Sequence, residues 1–124
     1  MADTSVFIAR ESGRRLDESL LPEELAVSVI TVGELRAGVL AADDVDTRER
    51  RLDTLQECLS MDPMPVDDSV ARTWARLRLA LRDGGLVMGV NDSWIAATAM
   101  ALDVPVVTQD REYAPAPGLA VVTV

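Results

Sequence analysis

Four acidic residues, Asp3, Glu34, Asp92 and Asp110, are the candidates for chemistry in this chain. A carboxylate can serve as general acid or base, as nucleophile, or as an oxygen ligand to a hard divalent cation. The rest of the side-chain inventory narrows that choice. The chain of 124 residues has no His and no Lys, and all 12 basic residues are Arg. Within this chain, that excludes Ser-His-Asp and Cys-His sites, a Schiff base and a His-ligated zinc. Catalysis would run on carboxylates, hydroxyls, Arg, or a metal held by oxygen, which suits Mg²⁺ or Mn²⁺. Each acid also has a plain structural role open to it. Asp3 would cap a helix, Glu34 would complete a capping box with Thr31, Asp92 would be an N-cap and Asp110 a turn residue.

Joint placement is what favours chemistry. The stretch Asn91 to Asp110 reads as helix, turn and strand. Asn91-Asp92 would start the helix, and Trp94, Ile95, Ala96, Ala97, Ala99, Met100 and Leu102 would fill it. Asp103-Val104-Pro105 turns the chain, and Val106-Val107-Thr108 reads as a short buried strand that ends at Gln109-Asp110. A helix antiparallel to its following strand brings Asp92 and Asp110 to the same end. Such a pair repels unless something cationic lies between.

The elements before that stretch carry the other two acids. Only Met1 and Ala2 precede Asp3, so a first strand would be very short. Val6 to Ala9 would follow as a buried helix capped by Ser5 or Thr4. Arg14 to Leu21 is a possible second short helix, stopped by Pro22. Leu25 to Val29 reads as a strand, and Thr31-x-x-Glu34 as a capping box opening a helix through Leu40. Thr47 to Leu59 has helical spacing, and Met61 to Pro65 allows a brief strand. Asp67 or Asp68 would cap a long helix that ends at Gly84-Gly85, and Leu119 to Val124 would be the last strand. Short apolar strands alternating with helices indicate α/β architecture with a parallel sheet covered on both faces. In such folds ligands collect beyond the carboxyl ends of the strands, at the point where strand order reverses. If strand one lies between strands two and four, all four acids meet there.

Composition fits one domain over residues 1–124 with one core: 48% of residues are hydrophobic. The lone Cys58 has no internal partner, no apolar run is long enough to span a membrane, and no signal peptide is visible, so a cytoplasmic protein is expected. The net charge of −9 argues against a generally basic nucleic-acid surface. It does not exclude a nucleic-acid substrate at a site where Arg and a metal reverse the sign locally.

The motifs together resemble a known family. Asp3-Thr4-Ser5 before an apolar helix is similar to the opening of PIN-domain ribonucleases, in particular the VapC-type toxins of toxin–antitoxin pairs. Thr31-Val32-Gly33-Glu34-Leu35 with Gly38 resembles their second motif. Asn91-Asp92 with Trp94-Ile95-Ala96-Ala97 and Ala99 resembles the third. Val106 to Asp110 with Arg111 and Tyr113 resembles the fourth. The resemblance implies a PIN-like three-layer fold with a parallel sheet of five strands in the order 3-2-1-4-5. It implies a Mg²⁺- or Mn²⁺-dependent endoribonuclease, a homodimer, and a VapB-type antitoxin whose C-terminal segment covers the site. Asp3, Glu34, Asp92 and Asp110 fall on the family's acidic positions, with Asp3, Asp92 and Asp110 as metal ligands. Thr4, Ser5 and Thr108 fall on its accessory hydroxyls.

Arg14, Arg15, Arg72 and Arg76 are candidate RNA phosphate contacts. Trp74 and Trp94 are expected to pack in the core rather than stack on bases. Leucine-rich stretches at 16–21, 32–40 and 52–59 would frame a groove for an antitoxin helix. The alternative reading is a catalytically inactive PIN-like binding module that sequesters antitoxin or RNA. A phosphoacceptor receiver domain would need a Lys, and a haloacid-dehalogenase-like site a second Asp two residues after the first. Neither is present.

Overall fold

Burial of the first two residues sets the architecture. Ala2 is fully buried and bridges Val27 on one side and Val107 on the other, both in parallel. The computed structural model describes residues 1–110, 113 and 115–124. Along it run α1 (Thr4–Glu11), a 3₁₀ turn (Glu18–Leu20), α2 (Val29–Leu40), α3 (Val45–Leu59), α4 (Asp68–Asp83), α5 (Val90–Ala101), β1 (Val106–Thr108) and β2 (Val121–Thr123).

Among the described residues the regular sheet is two-stranded, β1 beside β2 in parallel, with Val106, Val107 and Thr108 opposite Val121, Val122 and Thr123. Beyond it lie three isolated parallel bridges, Ala2 to Val27, Ala2 to Val107 and Ser28 to Met64. These segments are too short for continuous ladders because the chain enters α1 at Thr4 and α2 at Val29. Successive β1 side chains point to opposite faces. Val106 packs with Ile95 and Ala99 of α5, and Val107 with Val6 of α1. Helices therefore cover both faces. On the α1 side, Phe7, Leu35, Val39 and Leu55 form one core with α2 and α3. On the other side, Val70, Leu77 and Leu81 of α4 pack on Ala96 and Ala97 of α5. The small α5 residues let that helix lie close to its neighbours.

Local capping departs from the sequence reading in two places. Of the candidates Asp3, Thr4 and Ser5, it is Asp3 that caps α1, accepting from the Ser5 amide. Val29 belongs to α2, which starts there because Ser28 accepts from the Ile30 amide. The Thr31–Glu34 capping box therefore does not form, since both residues lie inside the helix, whose first orphan N–H groups are already served. α5 begins at Val90 with Gly89 as its cap and no side-chain cap bond, so Asn91 and Asp92 sit in its first turn. The expected helix over Arg14–Leu21 is reduced to the 3₁₀ turn, and the final strand to Val121–Thr123. Asp67 caps α4 on the Val70 amide, and the helix ends at Gly84, as the sequence indicates. Among the described residues no helix is long and apolar enough to cross a membrane.

Candidate active site

Asp3 is the most tightly held of the four acids. It is 5% exposed, and its amide donates to Val107 O at 2.9 Å, so it leaves the sheet at the carboxyl end of β1. Its Oδ2 accepts from Ser5 Oγ at 2.5 Å, from Thr108 Oγ1 at 2.9 Å and from the Ser5 amide at 3.3 Å. Both hydroxyls spend their one proton on the carboxylate and accept from backbone. The Gln109 amide donates to Ser5 Oγ, and the Asp110 amide to Thr108 Oγ1, each at 3.0 Å. Thr108 thus fixes the Asp3 carboxylate and the backbone of Asp110 with one oxygen. Among the described residues every hydrogen bond to the Asp3 side chain lands on Oδ2, so Oδ1 keeps its lone pairs for a ligand.

Glu34 sits on the second turn of α2. Its Oε2 accepts from Thr4 Oγ1, and its Oε1 from Asn91 Nδ2 at 2.9 Å. Thr4 Oγ1 also lies 3.2 Å from Thr31 Oγ1, which is fully buried. The candidate hydroxyls Thr4, Ser5 and Thr108 are therefore all on carboxylates. Asn91, taken from sequence as a helix start, instead orients an acid 57 positions away. Its capping preference masked that role, and nothing local could have revealed it.

Asp92 lies within electrostatic reach of the other three acids. Its carboxyl is pushed up from 3.8 to about 6, first by burial and then by the charges of Asp3, Glu34 and Asp110. Acids from three other segments therefore act on Asp92 across one cleft. Gly89, which sequence reasoning passed over, leaves room here: a Cβ would come within 3.1 Å of Asp92 Oδ2, and the carboxylate would have to shift by a few tenths of an ångström. Tyr113 donates its hydroxyl to the Asp92 carbonyl oxygen at 2.9 Å. Its phenol is raised far above its ordinary value, chiefly by burial and further by the same four acids, so it stays protonated as a donor. Arg111 lies outside the described residues.

The donor set is all oxygen, which fits Mg²⁺ or Mn²⁺. Among the described residues no three acids stand close enough to close around one ion as arranged here. That spacing still suits Mg²⁺, which keeps several waters and is usually held by one or two carboxylates. Of the arginines singled out from sequence, none hydrogen-bonds the acids among the described residues. Arg72 pairs with Asp68 at 2.7 Å, Arg14 donates to Ser12 at 3.2 Å, and Arg15 and Arg76 are exposed. Trp74 and Trp94 stack on each other with centroids 4.2 Å apart, in line with a packing role.

An acidic cleft at the carboxyl ends of short parallel strands, with helices on both faces, defines the class. A sequence model of the PIN domain matches residues 1–119, and the chain belongs to the PIN domain family. The chain is 52% identical over 122 residues to Ribonuclease VapC5 of Mycobacterium tuberculosis, covering 98% of this chain and 90% of that protein. It is 44% identical over 124 residues to Ribonuclease VapC4 of the same organism, covering 100% and 95%. Among solved structures it is similar to VapBC-5 of M. tuberculosis, a member of the VapBC family of toxin-antitoxin systems. That match has a TM-score of 0.86 and 43% identity, and it covers 99% of this chain and 96% of that one.

Proposed function

We propose that this protein is a metal-dependent endoribonuclease, the toxin of a VapBC-type pair, acting in the cytoplasm as one PIN-like domain over 1–124. The observation that carries the reading is the convergence of the acid-bearing segments: Thr108 holds the Asp3 carboxylate and the Asp110 amide, while Asn91, next to Asp92, holds Glu34. The names of relatives 52% and 44% identical over nearly their whole length support it. The order 3-2-1-4-5 for a five-segment sheet is supported by the bridges that run from Met64 through Ser28, Val27, Ala2 and Val107 to β2.

The cofactor would be Mg²⁺ or Mn²⁺; Asp3 and Asp92 are the residues that would hold it directly, and Asp110 would do so directly or through water. When bound, such an ion lowers the pKa of water and offsets charge on the attacked phosphate and the leaving oxygen. The chain's own residues do the positioning. Ser5 and Thr108 aim Asp3. Thr4 and Asn91 each donate to one oxygen of Glu34 and fix its carboxylate, whose remaining lone pairs would orient the attacking water. Tyr113 steadies the first turn of α5 beneath Asp92.

A groove of about 170 Å³ lined by Ile8, Glu11, Glu34, Leu35, Gly38 and Arg51 runs between α1, α2 and α3. Its lining combines apolar Ile8 and Leu35 with the carboxylates of Glu11 and Glu34, which suits a VapB-type antitoxin segment that carries Arg. Leu16–Leu21 is not a helix and does not frame it. A homodimer completes the reading, and light scattering tests it.

Incubating RNA with the protein and Mg²⁺ or Mn²⁺, with and without EDTA, tests the activity. Cleavage should need the ion and vanish in Asp92→Asn. Metal-independent cleavage, or full activity in that variant, would sink the scheme. The inactive binding module predicts RNA or antitoxin binding with no cleavage under any ion.

A further inference from the structure

The arginines picked from sequence make no contact with the acids, but a different pair stands beside the cleft. α4 is the one helix of the five in which arginines outnumber acids, with Arg72, Arg76, Arg78 and Arg82 against Asp68 and Asp83. Arg78 and Arg82, one turn apart on one face, line a cavity of about 230 Å³ with Leu81, Leu86, Val87 and Met88. The segment that closes this cavity runs straight on into Gly89–Asp92, which lines the acidic cleft with Glu34. Met88 and Gly89 are consecutive, so their Cα atoms, at the rims of the two hollows, are about 3.8 Å apart.

Arg78 is also held in place relative to the acids. Its guanidinium carbon lies 5.3 Å from the centre of the Trp74 ring. Trp74 stacks on Trp94 and donates Nε1 to Ser93 Oγ at 2.9 Å, and Ser93 follows Asp92 in the chain. One indole therefore ties the orientation of Arg78 to the turn that presents Asp92. Among the described residues no carboxylate lies within ion-pairing distance of Arg78, whereas Arg72 is engaged by Asp68 at 2.7 Å. Arg82 meets Asp83 at 3.1 Å in a pair that is largely exposed, the kind that solvent weakens and an incoming phosphate can replace.

We propose that Arg78, assisted by Arg82, is a phosphate-binding subsite for the RNA strand next to the scissile bond, with Leu86 and Met88 offering the face of one base an apolar floor. In a chain of net charge −9 a polyanion needs such a lane to approach four carboxylates. A guanidinium held over a ring keeps its in-plane N–H groups for the phosphate. The proposal rests on the ribonuclease reading, and the experiment separates the two.

Fluorescein-labelled, mixed-sequence single-stranded RNA is the probe, with Mn²⁺ present. Wild type, the double variant R78A/R82A and the single variants R78K and R78Q are compared for cleavage kinetics and for binding across a salt series. The double variant should raise KM about three- to tenfold with kcat nearly unchanged. Its slope of log affinity against log salt should be shallower by about 1.4, that is about 0.7 for each lost phosphate contact. R78K should keep the wild-type slope but bind more weakly, because an ammonium cannot lie flat on the indole. If the double variant melts, the same comparison is read from R78Q and R78K. Wild-type KM and slope in folded R78A/R82A would overturn the subsite while leaving the nuclease intact. So would loss of self-association with unchanged KM, which would assign this face to a contact between copies. Absence of cleavage by wild type with Mg²⁺ or Mn²⁺ would remove the ribonuclease reading and the subsite with it.

Discussion

Replacing Asp92 with Asn should destroy cleavage and stabilise the fold at the same time. The Asp92 carboxyl is raised from 3.8 to about 6, by burial first and then by Asp3, Glu34 and Asp110. A carboxylate with a raised pKa in the folded state opposes folding whenever the solution pH keeps it ionised. That penalty is complete above about pH 6 to 7, shrinks as pH falls through 6, and is gone below the unfolded value near 3.8. Two units correspond to about 3 kcal/mol at 1.36 kcal/mol each. Asp92 is only partly buried, so solvent screening reduces this to about 1.5 kcal/mol. For a chain of this size that is roughly 5 °C in Tm. The assay is thermal unfolding of wild type and Asp92→Asn in EDTA from pH 4 to pH 8. The variant should melt about 5 °C higher at pH 7.5 and at the same temperature near pH 4. Adding Mn²⁺ should raise the wild-type Tm by mass action and leave the variant nearly unmoved. Equal melting of the two proteins at pH 7.5, or a gap that persists at pH 4, would refute the electrostatic account of the cleft.

Further consequences follow from individual contacts. Thr108→Val removes the donor to Asp3 and the acceptor for the Asp110 amide, so it should cost about 1–3 kcal/mol in urea unfolding and lower kcat with the fold retained. Glu34→Gln removes one of the charges that raise the Asp92 carboxyl; carbon-detected NMR titration should find that pKa moved down, and no movement would separate Glu34 from the cleft. Tyr113→Phe loses the bond to the Asp92 carbonyl, at about 1 kcal/mol, and should lower kcat more than it raises KM. Ser28→Ala removes the α2 cap and should cost about 1 kcal/mol in denaturant unfolding.

Much of the fold was legible because it is written in local signals. Asp67 before an apolar stripe and Gly84-Gly85 after it mark both ends of α4, since a cap and a stop act within one turn. The same logic misled where two local signals competed. Thr31-x-x-Glu34 has the spacing of a capping box, yet Ser28 starts α2 one turn earlier, which frees Thr31 and Glu34 to meet Thr4. Asn91 suits a cap, yet its amide reaches Glu34.

What the sequence alone determined is the kind of chemistry available. A chain without imidazole or amine side chains, with one Cys and with carboxylates in four recognisable motifs, has oxygen as the only donor type that recurs across its motifs. Tertiary structure decided which groups serve those carboxylates. The hydroxyls of Ser5 and Thr108, 103 positions apart, converge on Asp3, and Trp74 carries Arg78 up to the turn that holds Asp92. Residue type is a property of single positions, whereas a hydrogen bond across the sheet exists only after burial has brought distant segments together and left each polar group to find a partner there.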